Sequence, residues 1–422
     1  MSINTQPIIN PSHNAVPLVP PNGMTADKIK QQVNENAMRN VGYIKPQAPP
    51  SDPATLHQYT LKDAQQAELQ KRQKYLQEIH TLLNEELPEY KNSLDEKRTL
   101  TIQYYRNVFQ ELQNMKLGTS EYSLMRSVFL IENAWHDNTL DYSSYVHDIE
   151  TKTNLISSIA KKDGIISNNN IGLNYIIQRL YSETITLNNN QYHPFQYDFE
   201  DYMGEKDWSK MFVTKLLKSN KGQCHSLPLL YLILAEKVGA KAWLSFAPEH
   251  SFIIFSDDSK RSFYNFETTN GNIVSNDWVM ESGFINTTSI RNRIYLDTLG
   301  KDQLLSSLIT DLVMGYTNKF GYDQFVEEMI DFSLLVNPKN IQAHILKADI
   351  QVLKTNQELK KVGNPPITQI KSYPDAYSNY YNLLKEYDII DGLGYVQMPK
   401  EVYEQWLATA KLETKNNGAI NK

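Results

Sequence analysis

The stretch Lys221-Gly-Gln-Cys-His-Ser-Leu-Pro-Leu-Leu-Tyr231 contains the only cysteine of the 422-residue chain. Apolar residues recur behind this cysteine with the spacing of one helical face, which predicts an amphipathic helix that begins close to Cys224. Pro228 is tolerated only in the first turn of such a helix, and Gly239 can take the left-handed conformation that ends it. Gly222 lets the backbone turn sharply just before the thiol. A thiol at a helix N-terminus lies near unpaired N–H groups, which stabilise the reactive thiolate.

The segment after this helix predicts three short strands. Residues 241–246 and 250–255 are rich in strand-forming side chains, and a break at Pro248 separates them. A turn over residues 257–260 leads into a third run, which ends at Glu267. If the second and third strands pair as a hairpin, the start of one lies beside the end of the other. This arrangement predicts that His250 and Glu267 are neighbours, and a helix packed on the sheet would place Cys224 over His250.

These three side chains are the parts that cysteine catalysis needs. Cys224 is the candidate nucleophile for an amide or ester carbonyl, and His250 is the candidate base and proton donor. Glu267 would orient the imidazole. The oxyanion of the intermediate would be met by the backbone N–H of Cys224 and by one upstream donor. Trp208 is a candidate for that donor because its indole carries an N–H, although a core residue is an equally good interpretation.

These residues resemble the transglutaminase-like superfamily, a branch of the papain-like cysteine-hydrolase fold. The family pattern is Gly-x-Cys at the start of a long helix, His at the start of one strand and Asp near the end of the next. Gly222-Gln-Cys224 and His250 match the first two elements. Glu267 stands where aspartate is usual, which leaves the third role open to Asn265 as an alternative. The likeness covers about residues 120–355 and is greatest to bacterial SirB-type proteins with tetratricopeptide-like helices, many of which lack the cysteine.

The resemblance implies an α+β, helix-rich fold, in which the cysteine helix packs on a small antiparallel sheet in a papain/transglutaminase-like core with helical flanks. It also implies a hydrolase that acts on amide bonds of a protein or peptide through a Cys-His-Glu triad and a thioester intermediate. Water would resolve that thioester in a peptidase or deamidase, and an amine would resolve it in a transamidase. The alternative is a catalytically inactive member that serves as a protein-binding or scaffold module, which the substituted Glu267 favours.

Composition argues against several other function classes. The net charge is −6, so the chain has no overall basic field and nucleic acid is not an expected partner. A single cysteine excludes intramolecular disulfides and the usual thiolate zinc sites, and no phosphate-binding glycine loop is present, so no metal or cofactor is expected. No stretch approaches the length of a membrane span. The first residues do not form a signal peptide, which predicts a cytoplasmic protein, or an exported one if a signal has been removed.

The chain divides by pattern into four segments. Residues 1–55 hold nine of the 18 prolines and predict a flexible arm, either a linker or a segment that binds a partner. Residues 56–165 predict a helical region, and residues 166–300 the transglutaminase-like core. Residues 301–413 predict a second helical region with tetratricopeptide-like units. Within it, residues 354–368 are polar and predict a loop.

Overall fold

The computed structural model describes residues 53–91, 99–166, 169–283 and 285–397. Within these residues the protein is α+β and helix-rich, as the sequence predicts. Nearly all of the proline-rich arm, and residues 398–413 of the second helical region, lie outside the described residues. Among the described helices, none combines the length and the apolar character that a membrane crossing requires.

The chain forms two compact units. The described part of the first unit consists of residues 88–350 and 388–397, and that of the second consists of residues 53–87 and 351–387. The segment boundaries expected at residues 165 and 300 both lie inside the first unit. All three triad candidates belong to that unit as well.

The helices and strands are numbered in chain order. The helices are α1 (Pro53–Leu83), α2 (Thr99–Leu117), α3 (Leu124–Trp135), α4 (Tyr142–Lys162), α5 (Asn170–Ser182), α6 (Val213–Ser219), α7 (Ser226–Val238), α8 (Asn276–Ser282), α9 (Thr287–Asn292), α10 (Lys301–Phe320), α11 (Gln324–Val336), α12 (Ile341–Lys361) and α13 (Pro374–Leu393). The strands are β1 (Tyr90–Lys91), β2 (Ile185–Leu187), β3 (Asn190–Tyr192), β4 (Gln196–Tyr197), β5 (Lys221–Gly222), β6 (Ala242–Ala247), β7 (His250–Ser256), β8 (Phe263–Glu267), β9 (Asn272–Val274) and β10 (Tyr322–Asp323). The described residues also include two 3₁₀ segments, Trp208–Met211 and Ile367–Ser372.

The largest sheet has four strands in the order β6-β7-β8-β9, and each neighbouring pair is antiparallel. The predicted hairpin between β7 and β8 is confirmed, with Ile253 opposite Phe266. The Asp257 carboxylate closes its loop by accepting hydrogen bonds from the N–H groups of Arg261 and Ser262 at 2.8 and 3.1 Å. This register leaves the first residue of β7 and the last residue of β8 at the same end of the sheet.

The cysteine helix α7 ends as predicted, because Gly239 takes the left-handed conformation with φ 78°. The prediction of a single apolar face is wrong, since every residue from Ser226 to Ala235 is buried. Its run of leucine and isoleucine contacts α4, α5, α6 and the strands β6 and β7, so the helix is covered on several sides at once. On the sheet side the rings of Tyr231 and Phe266 lie 5.6 Å apart. A helix that is apolar all round belongs in a protein core.

The described part of the C-terminal half is mainly helical. In the first unit α10 and α11 pack together, and the Ser306 and Ser333 hydroxyls join them at 2.8 Å. In the second unit α12 continues to Lys361, so the loop predicted to begin at residue 354 is wrong over its first half. In this extension Thr355, Asn356 and Leu359 are buried.

Candidate active site

The cysteine segment begins with a short parallel pairing of β5 with β4, in which Gly222 lies opposite Tyr197. Gly222 is not in the left-handed region. A Cβ at this position would lie 2.7 Å from the Ser226 Oγ and 3.1 Å from Leu216. The glycine is therefore required because the first turn of α7 approaches closely, and the predicted reason, a sharp backbone turn, is wrong.

Cys224 is fixed between the start of α7 and the neighbouring strand. The hydrogen bonds of the helix begin at Gln223, whose carbonyl accepts from the Leu227 N–H at 3.0 Å. The Ser251 hydroxyl, on β7, donates to the Cys224 carbonyl at 2.6 Å. Because Ser251 directly follows His250, this bond joins the backbone of the cysteine to the strand that carries the candidate base. The Cys224 side chain is completely buried, with 0% of its surface exposed.

His250 and Glu267 form a buried hydrogen-bonded pair. The His250 Nε2 and the Glu267 Oε2 are 2.5 Å apart, and the two side chains are 1% and 0% exposed. The second oxygen of Glu267 accepts from the N–H and the hydroxyl of Thr269 at 3.1 and 2.7 Å. Asn265, the alternative partner, instead donates to the Asn276 Oδ1 at 2.7 Å. The structure thus brings Glu267, and not Asn265, to the imidazole.

This pairing decides which imidazole nitrogen is available for chemistry. A carboxylate accepts the proton of Nε2, so in the neutral ring the lone pair lies on Nδ1. The His250 Nδ1 is buried and has no hydrogen-bond partner among the residues that the structure describes. A buried polar atom of this kind is rare and costly in a folded protein. It is suited to accept a proton from a nucleophile or to return one to a leaving group.

Tyr197 is a site residue that the sequence does not reveal. Burial raises the pKa of its hydroxyl well above the usual range, and the neighbouring Cys224 and Glu267 raise that pKa further. Its strand has only two residues, so no periodic pattern marks it. The Asp198 N–H donates to the Gly222 carbonyl at 2.8 Å and holds this strand against the cysteine segment. A neutral phenol here can donate a hydrogen bond.

Trp208 and His225 lie together in a separate cleft. Trp208 is 7% exposed, and its Nε1 is 3.6 Å from the position that a Cβ on Gly315 would take. The same cleft is lined by His225, Asp311 and Glu132. The His225 Nε2 lies 3.5 Å from the Asp311 Oδ2. The role of Trp208 as an oxyanion donor stays a prediction.

The carboxyl groups of that cleft hold their protons more tightly than usual. Burial raises the pKa of Asp311, while His225 lowers it in part. Burial also raises the pKa of Glu132 to about 7, although its oxygens accept from the N–H groups of Val213 and Thr214 at 2.7 and 2.8 Å. These two N–H groups open α6, so Glu132 caps that helix from α3. The Glu132 carboxyl group thus stabilises the start of α6, the helix that precedes the cysteine segment.

Glu249 directly precedes His250 and forms the turn between β6 and β7. Its backbone is left-handed with φ 55°, a costly conformation for a residue other than glycine. Burial raises the pKa of its carboxyl group to about 8. Burial raises the pKa of the nearby Tyr295 and Tyr395 hydroxyls as well. A proton therefore remains on Glu249 at neutral pH in the folded protein.

This raised pKa predicts a stability that falls with rising pH. Between about pH 4.5 and pH 8 the folded chain keeps the Glu249 proton that the unfolded chain has lost. In this range the titration of Glu249 lowers the free energy of unfolding by about 1 kcal/mol for each unit of rising pH. We expect Glu249→Gln to make the free energy of unfolding less dependent on pH over pH 5–8, as measured by urea unfolding. The exposed Glu205→Gln serves as the control and should keep the wild-type slope; equal slopes in all three proteins would contradict the prediction.

Metal-binding side chains and known relatives give no further indication of the function of this site. Among the described residues, no three His, Cys, Asp or Glu side chains are grouped so that they could hold a metal ion. No protein-family model, curated protein or solved structure matches the chain.

Proposed function

We propose that this protein is a transglutaminase-like cysteine hydrolase that cleaves amide bonds in a protein or peptide, with Cys224 as the nucleophile. The papain-like core is part of the same proposal. In it, a cysteine at the start of a helix packs on an antiparallel sheet whose adjacent strands supply the base and its carboxylate. The observation that carries the proposal is the buried bond between His250 and Glu267, at the sheet end where Ser251 binds the Cys224 carbonyl.

The proposed reaction has two halves. The His250 Nδ1 takes the thiol proton, and the Cys224 sulfur forms a bond to the substrate carbonyl carbon. The carbonyl oxygen becomes an oxyanion, which accepts from the backbone N–H of Cys224 and from an upstream donor, for which the Tyr197 hydroxyl is the candidate. His250 then gives its proton to the leaving nitrogen as the C–N bond breaks. Water attacks the resulting thioester in a hydrolase, and an amine attacks it in a transamidase.

A second candidate function is a binding or scaffold module that keeps this fold without the reaction. The complete burial of Cys224 favours it, because a nucleophile must meet its substrate. A lone buried cysteine commonly acts as a small apolar side chain. The unpartnered His250 Nδ1 favours the hydrolase, since a purely structural histidine is expected to satisfy both of its nitrogens.

The two candidates differ in the reactivity of the thiol. We expect iodoacetamide to alkylate Cys224 in the native full-length protein, with a pH midpoint below the value of about 8.5 that is typical of a free thiol. At pH 7, His250→Ala should lower the alkylation rate by about tenfold or more, because the imidazole no longer receives the thiol proton. The measurement is the mass shift of the intact protein over time between pH 5 and pH 10.

A matched control is the buried histidine His344, since His344→Ala should leave the alkylation rate unchanged. A thiol that stays unlabelled in the native protein would contradict the hydrolase and favour the scaffold function. The same conclusion would follow if His250→Ala and His344→Ala alkylate at the wild-type rate.

A further inference from the structure

His225 directly follows the candidate nucleophile and occupies the N-cap position of α7. Within the described residues its side chain makes no capping hydrogen bond to that helix. Its Nε2 instead lies 3.5 Å from the Asp311 Oδ2, on the neighbouring helix α10. The two side chains are 21% and 20% exposed, so the pair lies largely out of water. A titratable side chain one residue beyond Cys224 is thus paired with a carboxyl group from a distant part of the chain.

The cleft around this pair contains few groups that can carry a charge. Of the described residues that line it, three titrate: His225 at the start of α7, Asp311 on α10 and Glu132 on α3. Glu132 is engaged elsewhere, since its two oxygens accept from the first N–H groups of α6. The remaining wall is apolar or aromatic, and His225 is the only basic side chain among these lining residues. The charge of Asp311 is therefore balanced inside the cleft by His225.

The charges of His225 and Asp311 support each other. Burial raises the pKa of the Asp311 carboxyl group, and the neighbouring His225 lowers that pKa in part. In the reverse direction, a nearby carboxylate favours the charged form of an imidazole. A positive charge at the start of a helix is otherwise unfavourable, because the N–H groups there are themselves partly positive. Asp311 offsets this cost for His225.

An imidazolium at this position also acts on the thiol. Neighbouring Cα atoms are about 3.8 Å apart, so the His225 ring and the Cys224 sulfur belong to adjoining residues of one buried segment. Charges in the protein interior are screened much less than charges in water. A cationic side chain near a cysteine favours the thiolate, which is the form that attacks a carbonyl.

We propose that His225 and Asp311 are positioning residues of the active site, in which Asp311 holds His225 as an imidazolium and this charge stabilises the Cys224 thiolate. This inference rests on the proposed cysteine hydrolase. Neither residue contacts the substrate or takes the thiol proton, which passes to His250. The thiolate is then stabilised from two directions, by the pair of His250 and Glu267 and by the pair in the cleft.

The sign of one shift separates this role from the alternatives. If Asp311 acts through His225, Asp311→Asn removes the charge that holds the imidazole proton, and the pH midpoint of Cys224 alkylation rises. If Asp311 acts on the thiol directly, the loss of a nearby negative charge lowers that midpoint. A carboxyl group that serves only the packing of the cleft leaves the midpoint of the folded protein where it is.

The measurement is the rate of alkylation of Cys224 by iodoacetamide in the native full-length protein, followed as a mass shift between pH 5 and pH 10. We expect His225→Gln and Asp311→Asn each to raise the midpoint by about one pH unit or more, the effect of one nearby charge. His225→Arg keeps a permanent positive charge and should retain the wild-type midpoint. In the His225→Gln background, Asp311→Asn should raise the midpoint no further, because the two residues act as one unit.

His136→Gln is the matched control for the loss of an imidazole near the cleft. The His136 ring lies 5.8 Å from the ring of Phe212, which lines the same cleft, and the variant should keep the wild-type midpoint. If His225→Gln does not fold, the sign of the shift in Asp311→Asn, which keeps the side-chain shape, decides.

An unchanged midpoint in folded His225→Gln, or a lowered or unchanged one in Asp311→Asn, would overturn this inference. The hydrolase would survive that result as long as His250→Ala still slows the alkylation. A wild-type thiol that stays unlabelled would overturn the hydrolase and this inference with it.

Discussion

Cys224→Ser is expected to reduce the turnover of p-nitrophenyl acetate by about 10³-fold or more. A serine hydroxyl in this place is far less acidic than a thiol, and His250 alone does not make it an effective nucleophile. Removal of a nucleophile that acts together with its base costs nearly the whole contribution of the pair. The measurement is the steady-state release of p-nitrophenol by the full-length protein at pH 7, after correction for the rate without protein.

The exchange also places a hydroxyl at a completely buried position, so its cost in stability needs a separate control. Val352→Thr adds a hydroxyl at another completely buried position and should lower Tm in the same way. Its turnover should remain that of the wild type. If Cys224→Ser keeps most of the turnover, the ester is not hydrolysed through this cysteine, and the scaffold function becomes the better account.

The part of the site that depends on local sequence signals could be predicted. The hairpin of β7 and β8 follows from two strand-forming runs and a turn that Asp257 closes. Once the hairpin is assigned, antiparallel pairing brings His250 and Glu267 together whatever the rest of the fold does. The end of α7 is equally local, because Gly239 caps it in the left-handed conformation.

The choice between Glu267 and Asn265 could not be made from the sequence. Two residues apart on one strand, they share a face of the sheet, and either can bind an imidazole. The distinction comes from their partners, since Asn276 engages Asn265 and Thr269 holds the far oxygen of Glu267. Both partners lie on turns or helix starts that no periodic pattern predicts.

Contacts between distant segments account for the other differences. The pairing of Tyr197 with Gly222 joins residues 25 positions apart through a two-residue strand, too short to leave a pattern. The apolar run of α7 predicts burial, but only its neighbours on several sides show that no face meets solvent. The last part of α12 is polar in sequence although Thr355, Asn356 and Leu359 are buried there. Polarity alone is typical of a loop, so the sequence does not reveal that the helix continues.

Glu267→Ala is expected to lower the free energy of unfolding by about 3–5 kcal/mol. The change removes one member of a buried pair, and it leaves the His250 Nε2 and the Thr269 N–H without their acceptor. Breaking a buried ionic or hydrogen-bonded pair costs this much because the remaining partner stays buried and unpaired. The measurement is urea unfolding followed by circular dichroism, with wild type and variant at the same pH.

Asn265→Ala is the matched control for this last variant. It truncates a buried polar side chain on the same strand, whose single hydrogen bond to Asn276 is worth about 1 kcal/mol. Asn265→Ala should leave the turnover of p-nitrophenyl acetate nearly unchanged. Glu267→Ala should lose most of that turnover even in buffer without urea, where the variant is folded. A stability loss of the same size in both variants would mean that the His250–Glu267 bond contributes no more to the free energy of unfolding than an ordinary hydrogen bond. The imidazole would then have to be oriented by the surrounding packing instead of by the carboxylate.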